Sequence, residues 1–513
     1  MPITQTSTLA LWNLLALLVP VGLALLAVGA AREERAEQVA STALLALASA
    51  ALGYWLCGFA FQFGGVAFVS GLPGLQSLTA EWSPLDLVWG SGWGLLGFRG
   101  FLLSAESYDP DVYALFYSHL ATVTTVVLIV LLTLGSHIKR IVLLAIGLLA
   151  SGFVYPLVGN WVWGGGWLAN LGLTVNLGHG YVDAAGAGPA FLLGVLVALG
   201  ALMIIRPRRD SEPEPARLPP VHFPLLMVLG SLLAWVGWSG LILGNPLIAS
   251  QVAPAVVVLN LLLAAAGAGL AVSIYSWFVT TQPNAMAIGR GVVAGMVATS
   301  AACPFIPSWA ALLSGAIGGM LFLLGLYVWE QKIHLDDPSG MIATLGAPAI
   351  WGVLVVGLFA DGRWGAGWNT VGVEHYMSVP GQGVSGLLAA PGLATGGSGQ
   401  LQAQLVGLGG FLLGGWLLPW LTFQFVIWLQ VQSRKLMTRP VAPVPSPTVT
   451  ETAFEPEPAE STDSPATPVE RVAAEAIADD LPSAPIATHA QSTTASDTAA
   501  PKPTRRRRSG KSG

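Results

Sequence analysis

Charge is what this chain has least of. Asp, Glu, Lys and Arg make up 10% of its 513 residues, where a soluble protein carries about a quarter. With 54% apolar residues and a mean hydropathy of +0.67, that shortage excludes a water-solvated globule and leaves a polytopic membrane protein. Cysteine is nearly absent. Cys57 and Cys303 both lie in apolar surroundings, which gives neither a disulfide framework nor a thiolate metal site. There is no phosphate loop, no metal-ligand cluster and no nucleophile–base pair at usable spacing, so nothing points to an enzyme, a cofactor or a nucleic-acid partner. The first apolar run starts near Leu9 behind the uncharged MPITQTST, and Pro20 interrupts it. Without a basic leader region it is expected to be a membrane span rather than a cleaved signal.

What the chain has in abundance is long apolar runs of the length that crosses a bilayer, roughly 20 residues. They fall near 8–30, 40–62, 112–135, 141–160, 186–205, 221–243, 252–279, 285–302, 306–329, 341–360 and 401–431. The fold class expected is therefore an all-α membrane protein with eleven transmembrane helices. The eighth run, rich in Gly and Ala, is expected to pack against other helices rather than lipid. The odd-numbered connections and the start of the tail hold Arg32, Arg35, Lys139, Arg140, Arg206, Arg208, Arg209, Arg217, Lys332, Arg434, Lys435 and Arg439, against Arg99 and Arg363 in the even-numbered ones. Cytoplasmic loops collect basic residues, so the N-terminus is expected outside and the C-terminus in the cytoplasm.

Two long loops, 63–111 and 361–400, fall on the outer side in this reading. The first either lies along the interface or packs over the outer mouth. The second carries Trp364, Trp368 and His375, and its tryptophans suit the headgroup level. The membrane domain spans 1–435. Residues 436–513 turn polar, acidic and Pro-rich before the terminal RRRRSGKSG, a composition expected to stay disordered. The basic terminus suits anionic lipid head groups but equally a solubilising tail, and its partner is open.

The densest stretch is GHGYVDAAGAGPAFLLGVLVALGALMIIRPRRD, residues 178–210. Asp183 stands one turn ahead of an apolar helix, where a carboxylate accepts the unpaired N–H groups of a helix start. Small residues follow, then uninterrupted hydrocarbon to Ile205. GPAFLLGVLVAL in the fifth span is echoed by APAIWGVLVVGL in the tenth, five spans later and so inverted, as in transporter repeats.

Together with Pro20-Val21-Gly22, WLCGFAFQFGG, NWVWGGGW, the GWSG core of the sixth span, QPNAMAIGRGVVAGMVATSAACPFI, and LDDPSGMIATLGAPAIWGVLVVGLFADG, this segment resembles the ammonium transporter (Amt/Mep/Rh) family over roughly residues 8–435. The resemblance implies two inverted five-helix halves around a pore, a bracing eleventh helix, a homotrimer, and inward movement of ammonium. It puts Trp163 at the outer mouth, where an indole face holds a cation. Asn245 falls at the position of a nearby hydroxyl, and Leu241 at one outer aromatic gate. For the other gate, two registers place either Phe116 and Leu120 or Ser118 and Thr122 there. The family's paired pore histidines fall on Phe191, counted from Asp183, and on Leu345, counted from Asp336-Asp337-Pro338. Both are apolar.

Ammonium in a dry apolar tube costs several kcal/mol or more of desolvation, so neutral ammonia is the expected cargo. The rival readings are a non-conducting ammonium sensor acting through the tail, and a channel for another small neutral solute such as carbon dioxide. His119, inside the third span, is a possible proton acceptor, weighed against a neutral buried histidine satisfied by a carbonyl or by Ser118. Asp183 is expected to cap its helix and fix the entrance. Arg290 is expected to snorkel to the cytoplasm, and His334, Asp336 and Asp337 to sit on a solvated face.

Overall fold

In lipid a chain must satisfy its backbone groups internally, so apolar runs of this length become helices. The computed structural model describes residues 3–31, 33–104, 107–205, 222–425 and 428. Among the described residues, ten helices are long and apolar enough to cross a membrane. They are α1 (Thr8–Ala30), α2 (Glu33–Phe68), α3 (Pro110–Leu134), α4 (Arg140–Trp163), α5 (Ala187–Ile205), α6 (His222–Leu243), α7 (Pro254–Val279), α9 (Ser308–Trp329), α10 (Met341–Phe359) and α11 (Gly399–Phe425). Between α7 and α9 lies α8 (Ala285–Val297), a shorter apolar helix. The tail from 436, and Arg32, Arg206, Arg208, Arg209, Arg217, Arg434, Lys435 and Arg439, lie outside the described residues.

Two spans differ from the sequence expectation. α2 begins at Glu33 and runs to Phe68, past both expected ends. α8 stops at Val297 instead of 302, because 298–306 folds into successive turns. Thirteen residues at 1.5 Å each reach only about 20 Å of a core about 30 Å thick. Irregular backbone at that depth needs protein partners, and it has them. Ala184 N and Ala185 N donate to Ala301 O (3.2 Å) and Ser300 O (3.1 Å), and Asn260 of α7 donates to Cys303 O and Ile306 O, both at 2.8 Å.

The halves are related in a way visible at single atoms. α1 and α6, five spans apart, pack reciprocally: a Cβ on Gly22 would run into Gly230 O, and a Cβ on Gly230 into Gly22 O. α5 and α10 begin on matching aspartates. Asp183 accepts from Gly186 N (2.6 Å), Ala187 N (3.1 Å) and Gly188 N (2.9 Å). Asp337 accepts from Gly340 N (2.9 Å) and Ile342 N (2.8 Å). Each carboxylate thus bridges the N–H groups three and five residues on. Phe191 and Leu345 stand eight residues after their respective caps. A Cβ on Gly352 would meet Ala187, and one on Gly346 would meet Val195, so α5 and α10 cross antiparallel through the region of 191 and 345.

Asp337 is therefore a helix cap and not part of a solvated face. Burial raises its carboxyl above the usual carboxylate range. Asp336 pairs with His137, whose Nε2 lies 3.6 Å from its carboxylate. Arg290 does not simply reach for water. Its Nη2 donates to Ser339 O at 3.0 Å and its guanidinium lies 5.9 Å over the Phe322 ring, which ties α8 to the start of α10.

At the opposite end the loops knit together. A hairpin of β1 (Glu81–Trp82) and β2 (Leu96–Gly97) leads to Gly94 O and Leu95 O, which accept from Trp167 N (3.0 Å) and Trp161 Nε1 (3.2 Å). This part of the loop thus packs over the end of α4, while Leu87, Val88 and Trp89 stay exposed. A second hairpin, β3 (His375–Tyr376) with β4 (Val379–Pro380), lies against the segment before α5, with Tyr376 4.2 Å from the His179 ring. Two glutamines of α11 clasp that segment as a strand would: Gln400 bonds His179 N and Gly180 O, and Gln404 bonds Val182 N and Val182 O, all at 2.9–3.0 Å.

Candidate functional site

At the loop end, between the ends of α2, α4 and α6 and the 361–400 loop, lies a cavity of about 290 Å³. Its wall includes Val66, Trp163, Asn170, Leu247, Trp368 and Asn369. Trp163 is fixed by its indole N–H, which donates to Asp183 O at 2.9 Å, so the cap of α5 also sets the wall. Trp368, expected at the headgroups, is instead 3% exposed and part of this wall. Trp364 stays 38% exposed.

Asp183 is fully buried, and Tyr181 donates to its Oδ2 at 3.1 Å. Burial raises its carboxyl to about 6, while the Gly188, Gly186 and Ala187 N–H groups and the Tyr181 hydroxyl oppose the rise.

Against the cavity wall stands His119 of α3. Its ring meets Trp163 edge-on at 5.1 Å and Phe63 at 4.8 Å. Its Nδ1 is 3.0 Å from Tyr155 Oη and 3.5 Å from Gln62 Nε2. Its Nε2 is 3.3 Å from Asn245 Nδ2. Tyr54 donates to Gln62 Oε1 at 2.9 Å, and Leu247 N donates to Asn245 Oδ1 at 3.0 Å. Ser118, the partner weighed from sequence, turns away and donates to Leu115 O.

So the polar groups on His119 come from α2, α4 and the turn after α6. Gln62 and Tyr155 were not identified from sequence. Their only signal was a polar residue in each of two apolar runs. The α3 residue beside Trp163 is His119, in neither of the two registers considered. Phe116 instead stacks on Tyr54 at 5.1 Å. Leu241 is 6% exposed within the core, and Leu120, Ser118 and Thr122 touch neither Trp163 nor Asn245 by hydrogen bond.

Away from this cluster the buried side chains of α5 and, apart from Thr344, of α10 are apolar. Phe191 sits in a widened first turn of α5, Ala187–Leu192, and stacks flat on Trp238 with ring centres 4.8 Å apart and planes 12° apart. Trp238 in turn donates to Ser300 Oγ at 2.8 Å. Phe191 and Leu345 are both fully buried. Among the described residues no cluster of three His, Cys, Asp or Glu could hold a metal.

Near the cavity, but outside its wall, Glu81 of β1 lies against Gly65 and Gly94. Its Oε1 is buried with no partner among the described residues. Burial raises this carboxyl to about 7, opposed by a hydrogen bond from Asn160.

The Ammonium Transporter Family model matches residues 7–438. Ammonium transporter Amt2 of Archaeoglobus fulgidus is 31% identical over 356 residues, covering 68% of this chain and 70% of that protein. Ammonium transporter 1 member 3 of Solanum lycopersicum is 26% identical and covers 76% and 79%. Among solved structures, a Sensor Amt Protein superposes with a TM-score of 0.63 at 23% identity, over 83% of this chain and 94% of that one. Mep2 of Candida albicans does so with 0.62 at 20%, over 82% and 83%. Helices, inverted caps and family model agree: this chain is an integral membrane protein of the ammonium transporter family.

Proposed function

We propose that the protein draws ammonium into the cavity beside Trp163 and carries it across the membrane as neutral ammonia, without net charge. The loop end is then extracellular and the Arg- and Lys-bearing end cytoplasmic, in a plasma membrane, with a homotrimer as the working unit. The observation that carries the reading is the change from polar to apolar side chains between the cavity and the crossing of α5 and α10. Trp163 and His119 offer an aromatic face and an acceptor at the mouth, with the Asn245 amide against His119, whereas the positions eight residues beyond the two caps hold Phe191 and Leu345. A cation over an indole gains about 0.5–2 kcal/mol, enough to recruit it. The same cation costs several kcal/mol or more where no polar partner exists. Ammonia does not. Stopped-flow uptake into proteoliposomes, read together with membrane current, tests this. Uptake above empty vesicles without current is expected, and uptake matched by current would overturn it.

A second reading has its own observation. Phe191 lies flat on Trp238 with no exposure, as a plug would. A non-conducting sensor that binds ammonium at Trp163 and signals through residues 432–513 is consistent with that, and one fold relative is a Sensor Amt Protein. Absent uptake with retained ammonium binding selects the sensor. Light scattering of the detergent-solubilised protein checks the trimer, and any other stoichiometry removes that part of the reading.

A further inference from the structure

The tautomer of His119 follows from its neighbours. Leu247 N–H engages Asn245 Oδ1, so the Asn245 NH2 group faces His119 Nε2 at 3.3 Å. A donor on that side requires the imidazole lone pair at Nε2. A neutral ring then carries its hydrogen on Nδ1, 3.0 Å from Tyr155 Oη, which accepts it, and the Gln62 amide, 3.5 Å from Nδ1, gives its N–H to Tyr155 Oη instead. On the far side Tyr54 orients Gln62, whose Nε2 also reaches Tyr155 Oη at 3.4 Å. His119 is thus held with one basic lone pair, aimed at an amide nitrogen. That amide begins the turn whose next residues, Pro246, Leu247 and Ile248, line the cavity.

We propose that the Asn245 amide occupies the place of the substrate: an ammonium or ammonia nitrogen displaces Asn245 Nδ2 and donates to His119 Nε2. Asn245 is then a built-in competitor for this site and His119 its acceptor. This deepens the reading that the cavity recruits ammonium, and rests on it. The chemistry favours exchange. The resident contact joins two neutral groups across 3.3 Å, beyond the usual 2.7–3.2 Å of good hydrogen bonds, whereas an ammonium N–H to an imidazole nitrogen is charge-assisted and about twice as strong. Phe63 and Trp163 flank the ring in edge-to-face contacts, and a solute without an N–H or O–H donor has nothing to offer the lone pair. Rotation of one side chain exposes it.

The test is calorimetric titration of the full-length protein in detergent with ammonium chloride, against sodium chloride, for wild type, Asn245→Ala, His119→Phe and His119→Gln. Removing the competitor is expected to tighten binding about 3- to 10-fold, the span of one neutral hydrogen bond. His119→Phe is expected to weaken it about 10-fold or more, and His119→Gln, whose Oε1 accepts, to recover part of the loss. Weaker binding in Asn245→Ala would make Asn245 a ligand and overturn the proposal. So would unchanged binding in His119→Phe or, where that variant does not fold, in His119→Ala, which also removes the acceptor. A wild type that binds but does not conduct removes only the transport reading. No ammonium heat above sodium in any of the four removes recruitment itself and this proposal with it.

Discussion

Asp183 does three things at one point in the chain. It caps α5 through three N–H groups, accepts the Tyr181 hydroxyl, and offers its carbonyl to Trp163. Replacing the side chain by Ala leaves four buried donors bare, three N–H groups and the Tyr181 hydroxyl, each costing about 1–3 kcal/mol. Asp183→Ala is therefore expected to abolish a monodisperse peak in fluorescence-detected size exclusion. Asp183→Asn keeps one acceptor oxygen, and a lowered melting midpoint is expected instead. An Asp183→Ala protein as stable as wild type would refute the cap's importance.

Glu81 titrates in the opposite sense to a salt-bridged acid. Its folded-state value is raised to about 7, so the fold prefers the neutral form. That preference is fully present below the unfolded carboxyl's range and is lost as pH rises through about 7. Glu81→Gln, neutral at every pH, is expected to leave the melting midpoint unchanged at pH 5 and to raise it at pH 8. A raised midpoint at both values would mean the gain is not electrostatic.

The residue scale also marks where sequence reading stops. The cap and the eight-residue spacing to Phe191 are local and legible. The partners of His119 are not, because Gln62, Tyr155 and Asn245 reach it from sequence separations of 57, 36 and 126.

Among the elements, hydropathy located the long spans, because lipid solvation acts on composition alone. It overextended α8, whose missing turns are replaced by backbone bonds to 184–185 that no composition reveals. Small residues decide how helices approach. At the α1–α6 contact, Gly22, Gly230, Gly237 and Gly240 each face the partner's backbone, with no room for a Cβ. Gly409 of α11 meets nothing within 4 Å. Gly22→Val or Gly240→Val is expected to prevent assembly of the bundle, since the clash is with main chain that cannot turn aside. Gly409→Ala is expected to be neutral or slightly stabilising, by up to about 1 kcal/mol. Recovery of folded protein by size exclusion measures both, and equal yields from Gly22→Val and Gly409→Ala would contradict the packing argument.

For the whole membrane domain, the matching caps at Asp183 and Asp337 make 191 and 345 equivalent positions of two inverted halves. On the proposed reading, two apolar side chains at equivalent positions act as one barrier to charge, and changing one leaves the other half of the barrier in place. Phe191→His alone puts an imidazole in a fully buried place against Trp238, and a buried polar group left unpaired costs more than it gives. Phe191→His/Leu345→His supplies both halves, and on the proposed reading the two imidazoles are partners across the antiparallel crossing. Ammonium-dependent current in proteoliposomes is therefore expected from the double variant and from neither single one. Ammonia uptake should persist in all three, because the mouth residues are untouched. Current from the wild type would show that Phe191 and Leu345 do not exclude charge. Silence from a folded, ammonium-binding double variant would show that the barrier lies elsewhere, and the stacked Phe191–Trp238 pair would no longer explain it.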